Sequence, residues 1–195
     1  MLDYKKTGQE SIGFENQCPI AKLEDFWQWA YSDIMGNAQR GIFAEFLVAC
    51  ALGEIKEQVR ISWDKYDLLL DNKIKIEVKS SGYLQTWRQS KLSEIKFSIA
   101  KTRGWNYLDN TFENEKKRQA DIYVFCIFKH TDRKSANPLN IAQWDFYLLS
   151  TKKLNDVLGS QKTIGLNKLQ SLGAVKIAYS KLKEEIYREY RKYND

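Results

Sequence analysis

The stretch YDLLLDNKIKIEVKSS, residues 66–81, brings together three side chains whose types could act in concert: the carboxylates of Asp67 and Glu77 and the amine of Lys79. Two apolar runs flank Asp71-Asn72-Lys73, which predicts a β-hairpin with a three-residue turn. Period two then places Leu68, Leu70, Ile74, Ile76 and Val78 on one face and Asp67, Lys75, Glu77 and Lys79 on the other. Pairing about Asn72 sets Asp67 opposite Glu77, with Cβ atoms roughly 5 Å apart. Two carboxylates that close repel unless a cation lies between them. A hard ion such as Mg²⁺ suits the pair, because it takes one or two carboxylates and keeps its other positions for water and phosphate oxygens. The main-chain carbonyl of Val78 is a further candidate ligand. Lys79 is placed to orient or deprotonate an attacking water, or to offset charge in the transition state.

The elements upstream add a third carboxylate. Leu23, Phe26, Trp27, Ala30, Tyr31 and Ile34 recur at helical spacing and predict an amphipathic helix over about 21–35. A second helix is expected from about Ala38 to Leu52, ended by Gly53. Its run GIFAEFLVACALG holds one charged residue, Glu45. Burying that carboxylate alone is costly, so it is expected to face Lys79, a metal's water shell or another polar group. Asp64 and Asp71 compete with Asp67 for the ligand role, but Asp71 belongs to turn chemistry and Asp64 precedes the strand.

Strands are expected at about 58–63, 66–70 and 74–80, and the continuous apolar run DIYVFCIF, 121–128, reads as a strand covered on both faces. Residues 81–118 have no clean period and are expected to hold a loop and a helix near 111–119. WDFYLLS, 144–150, reads as another strand, Ser150-Thr151 as a helix start, and 180–193 as a charged helix with Leu182, Ile186 and Tyr190 on one stripe. No linker or repeat interrupts the chain, which predicts one α/β domain over 1–195.

Asp67, then nine residues, then Glu77-Val78-Lys79 at the end of a hairpin, preceded by a helix bearing Glu45, resembles the PD-(D/E)xK nuclease superfamily. The resemblance covers about residues 38–128 and implies a restriction endonuclease-like αβββαβ core, a mixed central sheet flanked by helices, with 144–193 packing on it. It further implies a Mg²⁺-dependent DNA endonuclease, Mn²⁺ being a substitute, in which Asp67 and Glu77 hold the metal, Lys79 serves the nucleophile and Glu45 is an auxiliary acid. The Pro that usually precedes the motif Asp is Tyr66 here. Ser80 and Gln85, in the segment after the motif, are implied as supports of the metal shell.

Composition agrees with a polyanionic partner. The formal charge is +6 and the pI about 9.0, but residues 1–60 carry six basic and nine acidic side chains whereas 80–120 carry eight and four. Arg88, Lys101, Arg103, Lys116, Lys117 and Arg118, interleaved with Trp87, Trp105 and Tyr107, are candidate contacts to nucleic acid. DNA is favoured over RNA, and cleavage of both strands would ask for a homodimer. A non-catalytic nucleic-acid-binding or assembly subunit is the alternative. The three cysteines, Cys18, Cys50 and Cys126, show no disulfide or zinc spacing, and the single histidine, His130, cannot carry a metal or a triad alone. Without an apolar leader or a run long enough to span a bilayer, a cytoplasmic protein is expected.

Overall fold

A computed structural model describes residues 5–55, 59–60, 65–106 and 110–194. The chain starts with short strands β1 (Ser11–Ile12) and β2 (Ala21–Lys22), paired antiparallel, then helices α1 (Leu23–Tyr31) and α2 (Asn37–Leu52). The hairpin β3 (Leu68–Leu70) and β4 (Ile74–Gly82) follows, then β5 (Lys96–Ser98), β6 (Trp105–Asn106) and β7 (Thr111–Phe112). Strands β8 (Ile122–Phe128) and β9 (Trp144–Ser150) lead into α3 (Thr151–Leu158), β10 (Thr163–Gly165), α4 (Leu166–Ser171), β11 (Lys176–Ile177) and α5 (Leu182–Asn194).

The central sheet has five strands in the order β11-β9-β8-β4-β3. Its one parallel pair is β4 with β8, in register from Ile76 beside Ile122 to Gly82 beside Phe128, and the other neighbours are antiparallel. All seven residues of β8 are buried, so both faces must be covered, and they are. On one side α2 and α5 bring Ala44, Leu47, Val48, Leu52, Leu182 and Ile186 against Ile76, Val124, Cys126 and Phe146. On the other, β5, β10, α3 and α4 set Phe97, Ile99, Ile164, Leu154 and Leu169 against Tyr123, Phe125, Ile127 and Leu149. The expected elements 38–52, 66–70, 74–80, 121–128, 144–150 and 180–193 are present within a few residues. Gly53 ends α2 in the left-handed conformation (φ 72°), its N–H on the Ala49 and Cys50 carbonyls.

Three expectations need correction. Residues 111–119 form no helix. They belong to an antiparallel ribbon in which Trp105 pairs with Phe112 and Thr102 with Lys117, because aromatic and β-branched side chains at Trp105, Phe112, Thr102 and Thr111 fit a pleated surface. Consequently the connection from β4 to β8 contains no helix among the described residues, whereas the expected αβββαβ order needs one there. The fold shown is mixed α/β with a five-stranded mixed sheet. Second, α1 buries none of its residues, and Trp29 stays 85% exposed. Its stripe meets the preceding segment, where a Cβ on Gly8 (φ 95°) would lie 2.9 Å from the Trp27 ring. Third, of the strand expected at 58–63 only Val59 and Arg60 fall within the described residues, and neither is in a strand. No helix among the described residues is long and apolar enough to cross a membrane.

Phe125 is wholly buried, with its ring 5.0 Å from that of Phe97 and 5.9 Å from that of Tyr123. Phe125→Ala should cost about 3–5 kcal/mol. Urea denaturation would show it as a lower midpoint with an unchanged slope.

Candidate active site

The hairpin carries the site because its turn is compatible with short polar residues. Asp71 (φ 51°) and Asn72 (φ 54°) both occupy the left-handed region, which Asp and Asn tolerate best after glycine, and Lys73 N–H closes the turn on the Leu70 carbonyl at 3.0 Å. The register is the expected one: Leu68 faces Ile76 and Leu70 faces Ile74. Asp71 is spent structurally, accepting a hydrogen bond from the Tyr187 hydroxyl.

At Asp67 the register changes. Its N–H donates to the Ile76 carbonyl at 3.0 Å, although Ile76 is already the partner of Leu68. Two residues of one strand therefore face one of the other, as in a β-bulge. Asp67 is consequently not a regular partner of Glu77, as the simple pairing predicts. Instead its Oδ2 accepts the Val78 N–H at 2.7 Å, so the side chain replaces the main-chain partner that β4 would otherwise lack. In an antiparallel pair the N–H and C=O of one residue leave the strand on the same side. The Val78 carbonyl therefore points to the Asp67 edge.

Burial, then Glu77, then Glu45 push the Asp67 carboxyl up to about 7, while the Val78 N–H and Lys79 act in the opposite direction. That places Glu77, Glu45 and Lys79 within electrostatic reach of Asp67. Lys79 Nζ is ion-paired with Glu77 Oε1. Glu45 does not meet Lys79: its partner is Arg60, whose Nη2 donates to Glu45 Oε1 at 2.8 Å. Arg60 was not singled out by sequence, since a basic residue in an alternating segment carries no mark of its partner. The hydrogen bond to Glu45 raises the Arg60 pKa, and Asp67 adds to that. Tyr123 is the other unanticipated neighbour. It lies beside Glu77 across the parallel pair, and burial, followed by Glu77, raises its phenol pKa, so the hydroxyl stays protonated.

The supporting residues are distributed differently from expectation. Gln85 is buried, but its amide donates to the Gly82 carbonyl at 3.0 Å and its Oε1 accepts from Arg40 at 3.4 Å, which turns it toward the loop after β4 and not the carboxylates. The Ser80 hydroxyl is sealed from solvent and has no hydrogen-bond partner among the described residues, and alternation puts it on the opposite face of β4 from Glu77 and Lys79. Arg118, expected at nucleic acid, is 5% exposed. Its guanidinium donates to the carbonyls of Ile99 (2.8 Å), Gly159 (3.0 Å) and Gln161 (3.1 Å) and to Asn155 Oδ1 (2.6 Å), so it ties β5 to α3. Lys117 pairs with Glu113 at 3.0 Å, and Lys65 takes the other carboxylate oxygen at 3.0 Å. Arg88, Arg103, Lys116 and Trp87 are exposed and Lys101 is half-buried.

Among the described residues no group of three His, Cys, Asp or Glu side chains could together hold a metal. The donors present, two carboxylates and a carbonyl, are hard oxygens, and one or two carboxylates suffice for Mg²⁺ when waters complete its shell. The raised Asp67 carboxyl supplies the observation that fits: a negative charge there is destabilised by like charges and lacks a full counter-charge.

A mixed α/β sheet bearing an Asp, a Glu-x-Lys and a helix-borne Glu at one hairpin has the make-up of a hydrolase site for phosphate esters. The family comparison is specific: residues 23–168, about three quarters of the chain, match the model of the bacteriophage T4 endonuclease IV family. The chain belongs to that family, a nuclease family, and the matched span includes Glu45, Asp67, Glu77 and Lys79. A search of curated proteins returned no match.

The raised Asp67 pKa has a consequence for stability. The unfolded chain releases this proton near pH 3.9, but the folded chain keeps it until about 7. Its contribution is thus complete below the unfolded value and is lost as pH rises through about 7. Asp67→Asn, which keeps an acceptor for Val78, should flatten that decline. In EDTA the variant should melt higher than wild type near pH 8 and level with it near pH 4, by roughly 2–4 °C for each kcal/mol relieved. Parallel Tm profiles for the two proteins would remove Asp67 as the titrating group.

Proposed function

We propose that the chain is a Mg²⁺-dependent endonuclease of the restriction endonuclease-like type that hydrolyses phosphodiester bonds in DNA. The observation that supports this most directly is the convergence of Asp67, Glu77 and Lys79 on the hairpin with Glu45 from α2, each bearing electrostatically on Asp67 or on a direct neighbour of it. Asp67, Glu77 and the Val78 carbonyl would hold the ion, with Mn²⁺ as a substitute. When bound, a divalent ion supplies Lewis-acid stabilisation of charge on the phosphate oxygens and on the leaving 3′ oxygen.

The chain's own residues do the rest. Asp67 and Glu77 fix the negative pole of the site. Lys79 keeps its amine at that pole through Glu77 and holds the attacking water by donating or accepting a proton at Nζ. Arg60 pairs with Glu45, which offsets part of the repulsion that this carboxylate exerts on Asp67. Tyr123 and the apolar layer beneath it keep water from the inner side of Glu77.

The test is cleavage of supercoiled plasmid, linear duplex, single-stranded DNA and RNA, with Mg²⁺ or with EDTA. Wild type should give product only with the ion, and Asp67→Asn, Glu77→Gln and Lys79→Ala should each lose on the order of 10²-fold or more in rate. Mg²⁺ should also raise the Tm of wild type near pH 8 but not that of Asp67→Asn. Salt-sensitive binding without metal-dependent product would instead indicate the non-catalytic subunit.

A further inference from the structure

The segment after β4 is held by two arginines that have no acidic partner among the described residues. Residues 83–93, YLQTWRQSKLS, form a closed loop in which Ser93 N–H donates to the Tyr83 carbonyl at 2.9 Å. Gln89 fills it, accepting the Gln85 N–H at 2.7 Å and donating to the Tyr83 carbonyl at 3.2 Å and to Ser93 Oγ at 3.0 Å. Arg40, 2% exposed, supports the loop from α2: its Nη1 donates to the carbonyls of Met35 (3.0 Å) and Leu84 (3.3 Å) and to Gln85 Oε1. Arg133, from the β8–β9 connection, clasps the outer side, its Nη2 donating to the carbonyls of Gln85 and Trp87, both at 2.8 Å, and to Gln89 Oε1 at 3.2 Å. Gly82, where the loop begins, has no room for a side chain without displacing Arg40 Nη1 or Phe128 Cβ, each 3.3 Å from a built Cβ.

This loop is heavily constrained, yet what it displays is not buried. Trp87 is 54% exposed and Leu92 45% exposed, with Arg88 and Lys91 exposed beside them. Arg133 fixes the Trp87 main chain while the indole stays in water, and an exposed aromatic on an ordered backbone is the kind of group that partners bury. The charge around it selects the partner. Residues 83–93 contain no acid, and because Arg40 and Arg133 donate to carbonyl and amide oxygens, their positive charges are not neutralised. Three acids border the loop: Asp33, which accepts the Thr86 hydroxyl, Glu94, which pairs with Lys96 at 2.7 Å, and Asp132, which accepts Ser135 Oγ at 2.6 Å and the Lys134 N–H at 3.1 Å; the loop's own charged side chains, Arg88 and Lys91, are both basic. An exposed indole on a loop whose charged side chains are all basic matches a base with flanking phosphates. The loop also continues the strand that carries Glu77 and Lys79. From Glu77 to the strand's end at Gly82 is roughly 17 Å of extended chain, a distance one bound strand can bridge.

We propose that the 83–93 loop grips the nucleic-acid substrate, with Trp87 stacking on a base, Arg88 and Lys91 on phosphates, and Arg133 and Arg40 as positioning residues. The assignment rests on the nuclease reading, so binding and cleavage are measured separately. In a Glu77→Gln background, anisotropy of a fluorescein-labelled DNA oligonucleotide, single-stranded and duplex, should show Trp87→Ala weakening affinity about tenfold and Trp87→Phe restoring most of it. Arg88→Ala and Lys91→Ala should each reduce the salt slope by about one, which Trp87→Ala leaves unchanged. Arg133→Ala should lose affinity without losing Tm, and Arg133→Lys, whose single ammonium nitrogen can donate to the same carbonyls, should restore part of it. Trp29→Ala, an exposed indole far from this loop in sequence, should bind as the parent does. In the active enzyme Trp87→Ala should raise KM with kcat changed less than twofold. If the protein cleaves DNA while Trp87→Ala leaves both affinity and KM intact, the loop assignment fails and the nuclease reading survives. If wild type yields no product but Trp87→Ala still loses binding, the loop assignment survives and the nuclease reading fails.

Discussion

Everything at the site depends on β8 being buried on both faces. A strand with no solvent-facing side can exist only at the centre of a sheet with a layer above and a layer below, and β4 is its parallel neighbour. One face of β4 supplies Ile74, Ile76 and Val78 to the α2–α5 layer. The other face carries Glu77 and Lys79 beside Tyr123 and Phe125, in the layer built by β5, β10, α3 and α4. Charged groups are thereby placed at the rim of a dry region, where water screens them poorly and their mutual repulsion is strong. The same burial that makes the sheet cohere makes the Asp67 charge costly.

The chain offsets that cost only partly. Lys79 covers Glu77 and Arg60 covers Glu45, whereas among the described residues Asp67 accepts the Val78 N–H and pairs directly with no cation, Lys79 helping it only at a distance. Burial, then Glu77 and Glu45, raise the Asp67 carboxyl pKa, and its proton is the simplest remedy in the isolated chain. In the function proposed, a divalent cation takes the place of that proton, which is why the ion and pH are expected to act on the same residue. The bulge gives this its geometry, since it brings the Asp67 carboxylate to the strand edge on which the Val78 main chain opens.

Arginine is used throughout as a main-chain tie. Arg118 gathers three carbonyls and an Asn side chain between β5 and α3, and Arg40 and Arg133 gather the loop after β4. A guanidinium can do this because its donors are fixed in a planar fork, and it remains charged even when buried. By composition these residues look the same as those that would contact phosphate. Arg118 and Arg88 are both basic residues in the 80–120 excess, yet one is sealed in the core and the other is exposed.

Local pattern in the sequence determined the hairpin, its Asp71-Asn72-Lys73 turn, the pairing of Leu68 with Ile76, α2 with its Gly53 stop, the doubly covered β8 and the co-location of Asp67, Glu77 and Lys79. Those follow from periodicity and turn chemistry, which act over a few residues. Only the tertiary structure decided that Asp67 sits in a bulge, that Arg60 meets Glu45, that Thr102 pairs with Lys117 and Trp105 with Phe112 although Glu113 and Lys117 also suit a helix, and that Arg118 is internal. Each depends on contacts between segments distant along the chain, or on one residue's break from an otherwise regular register. Propensity and spacing carry no term for either, because the free energy that decides them comes from packing and desolvation of the whole fold.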